Sequence, residues 1–137
     1  MGLLARREHS QVELVTKLRR RGFDSTVVDQ VVAALAEAGL QSDDRFAEAF
    51  AASRRSRGYG PLKILAELRN RGIRAPKLAD ILPLSDREWV DDARALRCRR
   101  FGDAPPEDAA ERARQTRFLE RRGYSQAQAR QAFRAER

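Results

Sequence analysis

One six-residue pattern occurs three times along the chain. Leu18-Arg-Arg-Arg-Gly22-Phe23 returns as Leu68-Arg-Asn-Arg-Gly72-Ile73 and again as Leu119-Glu-Arg-Arg-Gly123-Tyr124, with the glycines 50 and 51 residues apart. A helix closing in a Schellman motif places glycine in the left-handed conformation that a side chain would strain. The next residue then folds back onto the helix. The spacing predicts Phe23 on Leu18, Ile73 on Leu68 and Tyr124 on Leu119. Beyond each glycine, apolar residues recur six, nine and ten places on: Val28, Val31 and Val32; Leu78, Ile81 and Leu82; Ala129, Ala132 and Phe133. That is the buried face of a second helix. Ser25 and Ser125 are placed to cap the first and third of these, and Ser125 with Gln128 forms a capping box.

A further helix precedes each pair. Asp43 to Arg57 carries Phe46, Ala47, Phe50 and Ala51 on one face, with Ser42 as N-cap. Asp86 to Phe101 carries Trp89, Ala93 and Leu96 behind the capping box of Ser85 and Glu88. In the first copy only Leu3 to Glu8 stand where such a helix would lie, so it is expected to be incomplete. Truncation or an early start codon would account for this.

The expected fold is therefore all-α. It consists of three tandem three-helix modules over residues 1–40, 41–83 and 84–137, stacked into an elongated, curved array because units this small seldom stand alone. Turns at Arg57-Gly-Tyr-Gly-Pro61 and Gly102-Asp-Ala-Pro-Pro106 end one helix on glycine, and a proline can open the next. No segment alternates as a strand would.

Few catalytic groups are available. His9 is the single histidine, which removes multi-histidine metal sites and most triads, and it is expected to be structural or exposed. Cys98 is also alone, so no internal disulfide can form; the arginines around it favour a thiolate if the sulfur is exposed. Asp43-Asp44 and Asp91-Asp92 could hold a metal, but early helical turns account for acidic pairs more simply. No cofactor fingerprint, metal set or membrane-length apolar run is present. The expectation is a non-enzymatic, cytoplasmic, monomeric protein without cofactors or membrane contact.

Charge points to binding. The chain has 28 basic and 20 acidic side chains for a net charge of +8, and all but Lys17, Lys63 and Lys77 of the cations are arginine. Such a balance suits a polyanionic partner. A biased genome composition would give the same arginine excess. Residues 45–77 are densest, with nine basic and two acidic side chains. Arg54, Arg55, Arg57, Lys63, Arg69, Arg71 and Arg74 are the candidate contact residues, with Arg19, Arg20, Arg21, Arg121 and Arg122 as additional basic contacts. Arg21, Arg71 and Arg122 also lie where cations satisfy helix C-termini, and a structural role is equally open. Tyr59 could stack on a base or cover the core.

Several stretches resemble the RecX family of regulatory proteins. They are Arg6-Arg7-Glu8-His9-Ser10 with Glu13-Leu14 and Lys17-Leu18; Asp43-Asp44-Arg45-Phe46-Ala47-Glu48; Ser53-Arg54; Gly58-Tyr59-Gly60-Pro61; Glu67-Leu68; Arg71-Gly72-Ile73; and Arg117-Phe118-Leu119 with Arg122-Gly123-Tyr124. The likeness covers nearly the whole chain. It departs at the N-terminus, where the family has a longer leader and a complete first helix, and in the alanine-rich end helices. The resemblance implies a protein that binds the RecA filament in its helical groove. There it would suppress ATP hydrolysis, coprotease action and strand exchange, tempering recombination and the SOS response. Contact with single- or double-stranded DNA through the backbone is compatible with it. The charge alone leaves two other readings: a sequence-nonspecific DNA-binding helical protein acting without RecA, and a scaffold for another acidic protein.

Overall fold

The structure, a computed structural model, describes residues 7–74 and 76–134. Helices α1 (Gln11–Arg20) and α2 (Ser25–Glu37) belong to the first module; α3 (Asp43–Ser56), α4 (Pro61–Asn70) and α5 (Leu78–Ile81) form the second; α6 (Asp86–Phe101), α7 (Ala109–Arg121) and α8 (Gln126–Gln131) form the third. The described residues contain no strand. The expected remnant of a helix over Leu3 to Glu8 falls mostly outside the described residues.

All three repeated glycines close helices as the spacing predicts. Gly22, Gly72 and Gly123 have φ of 90°, 93° and 103°. In each turn both Schellman bonds form: Phe23, Ile73 and Tyr124 donate their amides to the carbonyls of Leu18, Leu68 and Leu119 at 3.3, 3.0 and 3.2 Å. Ser42, Ser85 and Ser125 cap their helices, the last two in full capping boxes.

Several expectations shift. The N-cap of α2 is Asp24, not Ser25, and it makes no side-chain bond. The second proline-bearing turn opens α7 at Ala109 behind the N-cap Asp108, so Pro106 precedes the helix, whereas Pro61 does sit in the first turn of α4. The last helix of the middle module, α5, lasts one turn. Phe23 is 54% exposed and Val31 44%, so the first module buries only Val28 and Val32 of its predicted face.

The modules differ in how they are packed. Modules two and three share one core: Phe46, Ala51, Ile64 and Leu68 meet Trp89, Ala93, Leu119, Tyr124 and Ala129. Module one has a separate small cluster of Leu14, Val28 and Val32, flanked by Val15, Leu18 and Leu35. Three buried side chains, each contributing about 1.5–3 kcal/mol, do not offset the entropy of ordering two helices. The first module therefore depends on its junction with the second.

That junction repeats at the next boundary. At the first boundary, the start of α1 sits on the Gly72 turn: the Ser10 hydroxyl donates to the Arg71 carbonyl at 2.7 Å, and Val12 occupies the space over Gly72. At the second, the start of α4 sits on the Gly123 turn. There the Gly60 amide donates to the Arg122 carbonyl at 2.7 Å and the Leu62 amide to the Gly123 carbonyl at 2.9 Å. Two glycines meet here because a Cβ on Gly60 would lie 2.5 Å from backbone atoms of Gly123 and Tyr124.

Candidate partner-binding surface

The seven predicted contact residues divide by what their side chains already hold. Arg54, in the last turn of α3, donates to Glu67 at 2.7 Å and lies over the Phe50 ring, 4.8 Å from its centre. Arg55 forks onto Asp92 of α6 with bonds of 2.7 and 3.1 Å. The bond to Asp92 holds the Arg55 guanidinium more firmly protonated than usual. Arg71 donates to Glu13 at 2.6 Å and also lies 4.8 Å from the centre of the Phe50 ring. These three arginines join helices and modules. A guanidinium engaged with a carboxylate has its charge balanced locally and fewer donors free for a phosphate or an acidic partner.

Lys63 is half-buried, its side chain against Gly123 and its ammonium 5.2 Å from the Tyr59 ring. Arg57, Arg69 and Arg74 are different: all are exposed, and none has an ion-pair partner among the described residues. Of the additional set, Arg20, Arg21 and Arg121 are likewise exposed and unpaired among the described residues. Arg19 lies 3.8 Å from Asp29, both well exposed, a geometry worth little. Arg122 is structural: it donates to the Arg57 carbonyl at 2.8 Å and covers the Tyr59 ring at 4.4 Å.

Tyr59 packs against the shared core with Arg54, Lys63 and Arg122 about its ring. Of its two sequence readings, core cover is the one its position matches. Tyr124, nearly fully buried, has its phenol pushed up to about 12 by burial and by the Asp92 charge. Arg97 was not singled out from sequence. It is buried at 6% exposure, bonded to Gln115 at 3.2 Å and stacked on Phe133 at 5.1 Å. Its place among four arginines in eight residues gives no sign of this, since only the packing of α7 decides which arginine turns inward.

At the first junction, Glu13 gathers the basic groups. Burial alone would raise its carboxyl, but bonds from Arg7, the Ser10 amide and Arg71 hold it below the ordinary carboxylate value. His9 is buried beside it, Nδ1 on the Arg7 carbonyl at 3.0 Å and Nε2 on the Lys17 ammonium at 2.9 Å. The carbonyl requires the proton on Nδ1 and the ammonium a free Nε2, so the ring is neutral here. Burial and the charges of Arg7 and Lys17 keep its pKa below 6.5. Among the described residues, no group of three His, Cys, Asp or Glu could hold a metal ion, and no helix is long and apolar enough to cross a membrane. Cys98 is half-buried.

Family models for RecX match in three pieces: the first three-helix domain over residues 1–35, the second over 42–79 and the third over 86–133. Among curated relatives, the regulatory protein RecX of Halorhodospira halophila is 48% identical over 130 residues, 95% of this chain and 81% of its own. The RecX of Pseudomonas savastanoi pv. phaseolicola is 44% identical over 124 residues, 90% of this chain and 80% of its own. A crystal structure of RecX from Lactobacillus salivarius shares the fold with a TM-score of 0.76 at 20% identity, covering 94% of this chain and 86% of that one. Two shared sequence layers and one shared fold agree with the three-module architecture, and the chain belongs to the RecX family of regulatory proteins.

Proposed function

We propose that this protein is a non-catalytic cytoplasmic regulator that binds the RecA nucleoprotein filament and inhibits its ATPase, coprotease and strand-exchange activities. Through that binding it would moderate recombination and the SOS response. Family membership over nearly the whole chain supports the regulatory role. The observation that carries the contact surface is the division among its arginines. Arg54, Arg55 and Arg71 are paired with Glu67, Asp92 and Glu13, whereas Arg57, Arg69 and Arg74 are exposed without a carboxylate among the described residues. The reading assigns filament contact to the second group, with Lys63, Arg20, Arg21 and Arg121 beside it, and gives the first group the task of holding the modules in line. A curved array of linked modules gains avidity from modest contacts on successive subunits. Contact with the DNA backbone inside the groove would add to it.

The test is co-sedimentation of the full chain with RecA filaments on single-stranded DNA, with RecA alone and with bare single-stranded DNA at physiological salt. RecA ATP hydrolysis is followed in parallel. Preference for the filament is expected. Reversing Arg57, Arg69 and Arg74 together should weaken filament binding by about tenfold or more with helical circular dichroism unchanged. Undiminished inhibition by that variant overturns the surface. Equal binding to bare DNA, falling steeply with salt, favours a nonspecific DNA-binding protein instead.

A further inference from the structure

The repeated junction has an unused copy at each end of the chain. Each joint consists of an acceptor, an Arg-Gly turn, and a donor, the first turn of the helix one module earlier. Gly72 receives the start of α1 and Gly123 the start of α4. The first acceptor, Arg21-Gly22, receives no other element among the described residues: its φ of 90° matches the others, yet beyond its own chain neighbours no described atom lies within 4 Å of where a Cβ would stand. Beside it Phe23 is exposed, whereas its counterpart Ile73 packs on the core and Tyr124 is buried. At the far end, the third donor is free in the same sense. The first turn of α7, behind the N-cap Asp108, leaves Ala109 and Ala110 exposed.

These two ends match in chemistry as well as in position. In the first joint the glutamate at the third helical position, Glu13, receives the arginine that precedes the glycine, Arg71. The corresponding residue of α7 is Glu111, held within its own helix by Arg114 at 2.7 and 2.9 Å and by Gln115 at 3.0 Å. The arginine before Gly22 is Arg21, exposed and without an ion pair among the described residues, so that docking would add or exchange one surface arginine at Glu111. Ala110 holds the helical position of Val12, which covers Gly72, and of Leu62, whose amide bonds the Gly123 carbonyl while the next residue, Lys63, covers that glycine; Ala110 is small enough for close approach to a glycine turn. The acceptor end carries Arg19, Arg20 and Arg21, and the donor end carries Asp103, Glu107, Asp108 and Glu111 with no basic residue between 102 and 111, so the two ends are opposite in charge.

We propose that the Gly22 turn is a docking surface for the α7 N-terminus of a second copy of this chain, so that copies join head to tail through a third instance of their internal joint. Such a contact is heterologous and does not close on itself, so association proceeds past the dimer. A turn against one helical turn is a small interface, so the contact is weak in free solution. Copies held in line by any scaffold would make it at a raised effective concentration.

The test needs only the isolated full chain. Sedimentation equilibrium from micromolar to about 1 mM protein spans the weak end of the affinity scale. At low salt the weight-average mass should climb with concentration and show no plateau at the dimer. Added salt should reverse the climb. Arg21→Glu and Ala110→Trp, both at exposed positions, should each suppress association about tenfold or more while circular dichroism is unchanged. A mixture of R21E with E111R, each folded by circular dichroism, should associate more than either alone. A constant monomer mass up to 1 mM, or variants that associate like the wild type, would overturn the proposal. A mixture no heavier than its separate components would do the same.

Discussion

Arg71 reaches out of the middle module to Glu13 of the first, donating across 2.6 Å to a carboxylate that also accepts from Arg7 and from the Ser10 amide. The pair ties a helix end to a helix start 58 residues away, beside the Ser10–Arg71 bond and the packing of Val12 on Gly72. Arg71→Lys keeps the charge but loses the fork and the flat surface over Phe50. Because the Arg71 side chain is about a third exposed, solvent screens the pair, and the expected loss is about 1–2 kcal/mol in urea unfolding. An unfolding midpoint equal to wild type would show the pair to be ornamental.

Unfolding should occur in two stages. Trp89 lies in the core that modules two and three share, and the first module buries only Leu14, Val28 and Val32. With denaturant, helical circular dichroism should begin to fall before Trp89 fluorescence shifts to the red, as the first module opens separately. Coincident transitions would mean that the junction makes all three modules one cooperative unit.

Gly60→Ala isolates the second joint. Its φ of −93° suits any residue, so the substitution introduces no backbone strain. The new methyl group would press on Gly123 and Tyr124 main-chain atoms, which cannot swing aside. The cost is expected at about 1–3 kcal/mol. The readout is thermal unfolding together with near-ultraviolet circular dichroism around Trp89. A variant as stable as the parent would show that the two turns can move apart freely.

His9 sets a pH dependence with a definite sign. Its folded pKa lies below 6.5, so between that value and 6.5 the unfolded chain binds the proton and the folded chain does not. Stability is therefore full above pH 6.5 and declines as pH falls from there through the folded value. Protonation would also set an imidazolium against Lys17 and Arg7. His9→Gln should flatten the urea midpoint between pH 7.5 and pH 5, where wild type declines. A further loss below pH 4.5 should persist in both, because there the unfolded chain takes up a proton that the folded Glu13, held below its ordinary value, does not.

The helix ends were legible in the sequence because their causes are local. A leucine four residues before a glycine, or a serine three before a glutamate, carries its partner within reach, and the Gly22, Gly72 and Gly123 turns and the Ser85 box form as expected. The cap of α2 slipped by one residue, since Asp24 and Ser25 are both cap formers and only the backbone decides between them. What the arginines do was not legible. Arg54 finds Glu67 thirteen residues on, Arg55 finds Asp92 thirty-seven on, and Arg71 reaches back fifty-eight. Charge density along the chain locates cations but not their counterions, which only packing brings near. Val31 is a similar case: its spacing matches Ile81, yet nothing among the described residues covers it fully.

The joint between Gly60 and Gly123 is, at its centre, amide against carbonyl, with the stem of Lys63 laid over Gly123. Its angle is consequently set by peptide geometry, which every sequence shares, by the absence of two Cβ atoms and by the core that the two modules share. Residues on the outer surface can diverge, and the cations there can be rearranged for one partner or another, without altering the direction in which the third module leaves the second. Recognition and shape are thereby governed by different atoms of the same chain.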